Sequence, residues 1–120
     1  MNSIINELKN ELNYQLDNYN QINFYKIKDL ILNCRGNIYF MGVGKSGNVA
    51  KHFSDILKCI SINSFYLDVM NSLHGDIGTI NDKDIIIMIS KSGKTKELIE
   101  LIPFLKTRNV YLIGLCCDNN

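Results

Sequence analysis

The sequence is most informative first in what it lacks. Thirteen Lys and Arg face twelve Asp and Glu, a net +1, and no run of basic residues stands out. That excludes the electrostatic footprint of a protein bound to nucleic acid or to an anionic membrane. No apolar stretch approaches the roughly 18 residues of a membrane-spanning helix. The first ten residues, MNSIINELKN, hold acids and amides where an export signal needs a basic start and an apolar core, so the chain is expected in the cytoplasm. Of the four cysteines, Cys34, Cys59, Cys116 and Cys117, no two form a C-x-x-C pair. In a chain without an export signal they read as reduced and mostly buried thiols. There is no repeat, low-complexity tract or linker. One alanine and one proline, against eighteen isoleucines and sixteen asparagines, reflect an AT-rich coding sequence and say little about function.

What is present is an ordinary globular composition, 46% apolar and 21% charged over 120 residues. That is enough for one domain and excludes disorder for the bulk of the chain. Residues 3–19 place Ile4, Ile5, Leu8, Leu12, Leu16 and Tyr19 on one helical stripe. Residues 22–34 repeat the pattern, and the expected break lies at Asn18–Gln21. Gly36 is a plausible left-handed cap after the second helix. The rhythm then changes. Ile38–Met41, Phe65–Leu67, Ile85–Ile89 and Val110–Cys117 are short apolar runs without alternation, as in a parallel sheet covered on both faces. Helical segments at Asn48–Ile60 and Lys96–Lys106 separate them. The whole predicts an α/β doubly wound sheet preceded by two helices, residues 1–35. After the fourth strand only Asp118, Asn119 and Asn120 follow, so the domain is expected to lack a C-terminal strand and helices, its last strand to be poorly covered, and the chain to form a dimer or tetramer.

In such a sheet ligands bind beyond the C-terminal strand ends. Three glycine-containing loops fall there: Gly42–Gly47, His74–Gly78 and Ser90–Thr95. The first fits G-x-G-x-x-G, and Asp68 follows Gly47 by 21 residues, which leaves a dinucleotide reading on Gly42, Gly44, Gly47 and Asp68 open. It is not a P-loop, because Tyr39 stands where that motif needs glycine. The third loop brings Ser90, Ser92 and Thr95 together with Gly93 at a helix start, a combination suited to phosphate. Lys45 and Ser46 lie on the first loop, where Lys45 suits a charge partner or an acid/base group. His74, in a loop, suits proton transfer, metal ligation or a structural hydrogen bond. His52 reads as structural.

At Met41–Gly47, Leu73–Gly78 and Ile89–Thr95 the chain resembles the sugar isomerase (SIS) domain, and within it the arabinose-5-phosphate isomerases. The resemblance implies a three-layer α/β/α sandwich on a five-stranded parallel sheet of flavodoxin-like topology. It implies a phosphorylated sugar as ligand, held by Ser90, Ser92, Gly93 and Thr95 with Ser46. The implied reaction interconverts D-ribulose 5-phosphate and D-arabinose 5-phosphate through an enediol, with no nicotinamide. Lys45 matches a candidate catalytic lysine, and His74 a candidate ring-opening or metal residue with a divalent ion such as zinc.

The chain departs from the family's pattern at two positions. Lys94 stands where the family has a glutamate proposed as acid/base, and Asn71 where it often has another glutamate. Further proposed catalytic groups, a fifth strand and, in many members, CBS modules lie C-terminal to anything in this sequence. The phosphate-binding half of the site is therefore expected to be complete and the proton-transfer half reduced. Weak or absent turnover by this chain alone follows, and a non-catalytic sugar-phosphate-binding module stands as the alternative.

Overall fold

The computed structural model describes residues 2–117 of the 120. Helices α1 (Asn2–Asn18) and α2 (Gln21–Leu32) belong to one compact unit ending at Asn33, and a second unit begins at Cys34. The break between the helices is set by Asn20, whose side-chain oxygen accepts the Asn23 amide at 3.0 Å and so caps α2. Neither helix contains a buried residue, and Ile4, Leu8, Leu12 and Leu16 lie exposed along α1.

The second unit runs β1 (Ile38–Gly42), α3 (Lys45–Cys59), β2 (Ser64–Tyr66), α4 (Val69–Leu73), a 3-10 turn at Asp76–Thr79, β3 (Ile85–Ile89), α5 (Lys96–Lys106) and β4 (Tyr111–Leu115). All strand pairs are parallel, in the order β2-β1-β3-β4. This is the strand order of a flavodoxin-like sheet. β1, in the middle, is buried at every position, which is why its sequence shows no alternation.

Each face of the sheet takes its own cover. Tyr39 and Met41 of β1 and Ile86 and Met88 of β3 pack with Leu67, Val69 and Ile80, and with Leu98, Leu101 and Leu105 of α5. Those leucines fall at helical spacing on one side of α5, and each buried leucine is worth about 1.5–3 kcal/mol of apolar transfer. On the opposite face Phe40 stacks on Phe53 of α3 with centroids 6.0 Å apart. The sheet-facing residues of α3 are Gly47, Ala50 and Ser54, all small, so the helix lies close on the strands. Ser64 Oγ donates to the Ser54 carbonyl at 2.5 Å and ties α3 to the start of β2. The result is the expected α/β/α layering around a four-stranded sheet.

A buried carboxylate organises the N-terminal strand ends. Asp84 is 2% exposed and accepts the Asn37 amide at 2.8 Å and the Asn81 amide at 2.7 Å. It thereby joins the residues that enter β1 and β3. Gly36, expected as a left-handed cap, is glycine for this reason instead: a Cβ there would run into the Asp84 carboxylate. The cap of α2 is Asn33.

Other boundaries shift for local reasons. α3 starts at Lys45 rather than Asn48, so Lys45 and Ser46 lie in a helix's first turn and not in a loop. β2 begins one residue early, at Ser64, and β4 ends at Leu115 rather than at Cys117. The short α4 carries too little periodicity to be read from sequence. The cysteines are not mostly buried: Cys59, Cys116 and Cys117 are exposed and Cys34 is half-buried, and none is in a disulfide. No helix among the described residues is long and apolar enough to cross a membrane.

Replacing the Asp84 carboxylate tests its role. Asp84→Ala leaves two backbone donors without their acceptor and should lower the unfolding free energy by about 2–4 kcal/mol, read from urea denaturation. A midpoint unchanged within error would remove Asp84 from any account of the fold.

Candidate functional site

The pairing of β1 with β3 creates the site. Gly42, the last residue of β1, lies opposite Ile89, the last residue of β3. The chain leaves one strand into α3 and the other into α5, on opposite faces of the sheet. The loops Val43–Gly44 and Ser90–Thr95 therefore start side by side, at the point where the strand order reverses.

The first loop is short because its ends almost touch. A Cβ on Gly47 would lie 2.7 Å from the Gly42 carbonyl oxygen, and one on Gly42 would lie 2.6 Å from the Ser46 carbonyl carbon. No side chain fits at either position. Gly44 takes φ 61°, a left-handed conformation that favours glycine, and serves as the cap residue of α3. The three glycines are thus used to bring the α3 N-terminus over the end of β1. The Tyr66 hydroxyl lies 3.2 Å from the Gly47 Cβ position and fills the space beside that contact. Burial and, secondarily, the Asp68 carboxylate hold its phenol above the usual value of 10.0, so it stays a neutral hydroxyl.

The second loop is braced from within. Ser90 is 8% exposed, and its Oγ accepts the Gly93 amide at 3.0 Å and shares a 2.6 Å hydrogen bond with Thr95 Oγ1. Ser92 Oγ accepts the Lys94 amide at 3.0 Å. Gly93 sits at φ 70°, again the left-handed region. Of the hydroxyls that sequence reading assigned alike, Ser90 is an internal brace, Ser92 is exposed and Thr95 is half-buried. Thr95 is the cap residue of α5, yet its hydroxyl is turned to Ser90 and not to the helix amides.

The helix starts divide accordingly. α2 and α4 are capped by side chains, the latter by Asp68 accepting the Asn71 amide at 2.8 Å. α3 and α5 have no side-chain cap. Their first-turn amides, Lys45 to Gly47 and Lys96 to Leu98, have no intrahelical acceptor by helix geometry. Both helices follow the paired ends of β1 and β3, α3 after Val43–Gly44 and α5 after the Ser90–Thr95 loop. That arrangement attracts an anion. Lys45, Lys91 and Lys94 are exposed around it. Glu97, in the first turn of α5 and half-buried, is a carboxylate that the sequence reading did not single out.

His74 is not brought to this place by the chain's own path. It caps the C-terminal end of α4, is exposed, and donates its backbone N–H to the Asn71 carbonyl at 3.1 Å. Its neighbours Gly75 and Asp76 line a separate open groove of about 690 Å³ with Asn37, Tyr39, Phe65, Leu67 and Thr79. The groove beside the second loop, about 310 Å³, is lined by Ser90, Gly93 and Thr95, and by residues of α5 and β4, and shares no residue with it. No cluster of three His, Cys, Asp or Glu able to hold a metal forms among the described residues, so His74 has no companion ligands there. Asp68, the carboxylate of the dinucleotide reading, caps α4 by accepting the Asn71 amide with Oδ1. His52 is exposed in the middle of α3 rather than on either loop.

Residues 31–120 match the SIS domain. The chain belongs to that family. Over 97 residues it is 35% identical to the arabinose 5-phosphate isomerase KpsF of Escherichia coli, a match covering 81% of this chain and 31% of that protein. It is 34% identical over 106 residues to the arabinose 5-phosphate isomerase KdsD of Yersinia pestis, covering 88% of this chain and 32% of that one. The SIS chain therefore spans about a third of the length of these relatives. Among solved structures, an Escherichia coli CFT073 protein in complex with arabinose 5-phosphate superposes with a TM-score of 0.81 at 27% identity, over 99% of this chain and 66% of that one.

Two substitutions separate the site's parts. Gly47→Ala should push α3 away from the end of β1 and lower stability by about 1–3 kcal/mol, measured by thermal unfolding. Ser90→Ala removes the brace beneath Gly93 and Thr95, and should weaken inorganic phosphate binding about tenfold in calorimetry. An unchanged phosphate affinity in a folded Ser90→Ala protein would dissociate the loop from anion binding.

Proposed function

We propose that this SIS chain seats the phosphate of a phosphorylated sugar between the α3 and α5 N-termini and serves aldose–ketose isomerisation of the D-arabinose 5-phosphate/D-ribulose 5-phosphate type. The observation that carries the reading is the convergence of two uncapped helix starts at the paired ends of β1 and β3, with the Ser90–Thr95 loop between them. A phosphate dianion suits that place because backbone donors and positive dipoles stabilise it without a dedicated cation. The likeness to arabinose 5-phosphate isomerases and to a protein solved with arabinose 5-phosphate supports the choice of ligand.

In this reading Ser46, Ser92, Gly93 and Thr95 contact the phosphate, and Ser90 holds the loop in shape. Phosphate binding far from the reacting carbons orients the sugar, so its binding energy lowers the barrier at the carbonyl end. There a base removes the proton α to the carbonyl, and an acid moves a proton between the two oxygens of the enediol. Proton transfer is assigned in this reading to Lys45, in the first turn of α3. His74, the C-terminal cap residue of α4, is the second proposed group. No metal and no nicotinamide is required for the proton transfers. Assembly into a dimer or tetramer belongs to the same proposal, supported by the apolar stripe exposed along α1.

Lys94 favours a second reading, a module that binds the sugar phosphate without turning it over. It adds a cation to the loop where proton transfer would use a carboxylate. The two readings separate in deuterium oxide. With ribulose 5-phosphate, exchange at the carbon-bound proton above background, lost in Lys45→Ala, is the isomerase outcome. Calorimetric binding of the same sugar phosphate without exchange is the module's outcome. If neither binding nor exchange is seen, both readings fall.

A further inference from the structure

Tyr66 carries a polar group that the proposed reaction leaves unused. It is the last residue of β2, which pairs with β1 on the side away from β3. Its register partner is Phe40, whose ring stacks on Phe53 of α3. Residues in register on neighbouring strands share a face, so Tyr66 also faces α3. Its hydroxyl reaches the first turn of that helix, 3.2 Å from where a Cβ on Gly47 would lie. A largely buried tyrosine ordinarily finds a partner for its O–H. Tyr39, on the other face, accepts the Asn37 side-chain amide at 3.4 Å. Tyr66 is half-buried, and its hydroxyl has no hydrogen-bond partner among the described residues. The positions on either side are fixed. The Leu67 amide donates to the Phe40 carbonyl at 2.9 Å, and Asp68 is held as the α4 cap. The free hydroxyl is therefore set in place by its strand rather than by a bond of its own.

We propose that Tyr66 is a specificity-determining residue whose hydroxyl donates to an oxygen at the carbonyl end of the sugar, so that the site tells a pentose phosphate from phosphate alone. This contact rests on the reading that the Ser90–Thr95 loop seats the phosphate of a sugar phosphate. Neighbouring strands lie about 4.8 Å apart, so a group on β2 and one following β3 stand about 10 Å apart across β1. An open-chain pentose phosphate spans an interval of that order, and inorganic phosphate does not. With its phosphate at the loop after β3, the sugar crosses the end of β1 at Gly42, which has no side chain to obstruct it. Its far end then lies toward β2 and the Tyr66 hydroxyl. Burial and the Asp68 carboxylate keep that phenol protonated, hence a donor. A neutral donor suits a carbonyl or hydroxyl oxygen. A site that hydrogen-bonds a substrate oxygen also rejects ligands lacking it more strongly than an apolar pocket does.

The test compares the 120-residue protein with its Tyr66→Phe variant, which keeps the ring beneath α3 and removes only the hydroxyl. Thermal unfolding checks that the variant is folded. Calorimetry then measures two probes, arabinose 5-phosphate and inorganic phosphate. Tyr66→Phe should weaken arabinose 5-phosphate binding about tenfold, the size expected for one lost hydrogen bond, and leave inorganic phosphate binding unchanged within error. Tyr66→Leu, a second variant without the hydroxyl, should show the same split between the two probes. Unchanged arabinose 5-phosphate affinity in either folded variant overturns the Tyr66 inference alone. So does an equal loss for both probes, because the hydroxyl would then act on the phosphate seat and not on the sugar. If neither variant folds, Tyr66 is a structural residue and the inference falls as well. Absence of arabinose 5-phosphate binding by the unaltered protein overturns it together with the sugar-phosphate reading.

Discussion

The close approach of Gly47 to Gly42 is the constraint on which the site depends. A helix that starts over a strand end must bring its first turn within van der Waals distance of that strand's last carbonyl. Here any Cβ at either position would be at 2.6–2.7 Å from backbone atoms, which cannot move without moving β1 or α3. β1 cannot move easily, since it lies between β2 and β3 and every residue of it is buried. The glycines are therefore fixed by packing before any ligand is considered. The uncapped amides of α3 are a consequence. A cap residue that is glycine in a left-handed conformation has no side chain to offer them, so they remain available to an anion.

α5 reaches the same state by a different route. Its cap residue is a threonine, which ordinarily would bond the helix amides. Ser90 diverts that hydroxyl, and in doing so shapes the loop: its Oγ holds both Thr95 Oγ1 and the Gly93 amide. One buried serine thus sets the loop's curvature and leaves a second helix start open. Among the described residues Asn20 and Asp68 cap α2 and α4, whereas α3, α5 and the 3-10 turn carry no side-chain cap. Capping is worth about 1 kcal/mol per helix. Leaving α3 and α5 without it is a cost in stability that, in the proposed reading, a bound anion offsets.

Much of this was legible in the sequence, for identifiable reasons. The uninterrupted apolar runs of β1 and β3 reported burial on both sides, and the glycine spacing of Gly42, Gly44 and Gly47 reported a tight strand-to-helix turn. The hydroxyl-rich segment reported the start of α5. Periodicity could not divide the work among those hydroxyls, because Ser90, Ser92 and Thr95 differ only in which neighbour each one meets in space. Gly36 was misread for a related cause. Its role is steric and is imposed by Asp84, 48 residues further on, and a local pattern cannot contain that partner. The cysteines were misread because burial was inferred from residue type, whereas β4 is an edge strand and exposes Tyr111, Leu112 and Leu115 as well.

The position of His74 shows how far order in sequence differs from order in space. Its motif lies between the two loops of the anion site, in chain order Gly42–Gly47, His74–Gly78, Ser90–Thr95. A reading by proximity in sequence joins all three. In a sheet of order β2-β1-β3-β4, however, the segment after β2 leaves from an edge strand and runs through α4 and the 3-10 turn before it enters β3. His74 sits at the end of α4, and its successors line a groove with Asn37, the residue that precedes β1. The topology thus sets the strand before the first motif between the strands that precede the second and the third. An anion seat needs only the two uncapped helix starts, and this chain supplies both. Proton transfer needs an acid and a base on one substrate; Lys45 lies in the first turn of α3 and His74 at the C-terminal end of α4. In the proposed reading, binding and chemistry are therefore separable, and substitutions in the Ser90–Thr95 loop test the first.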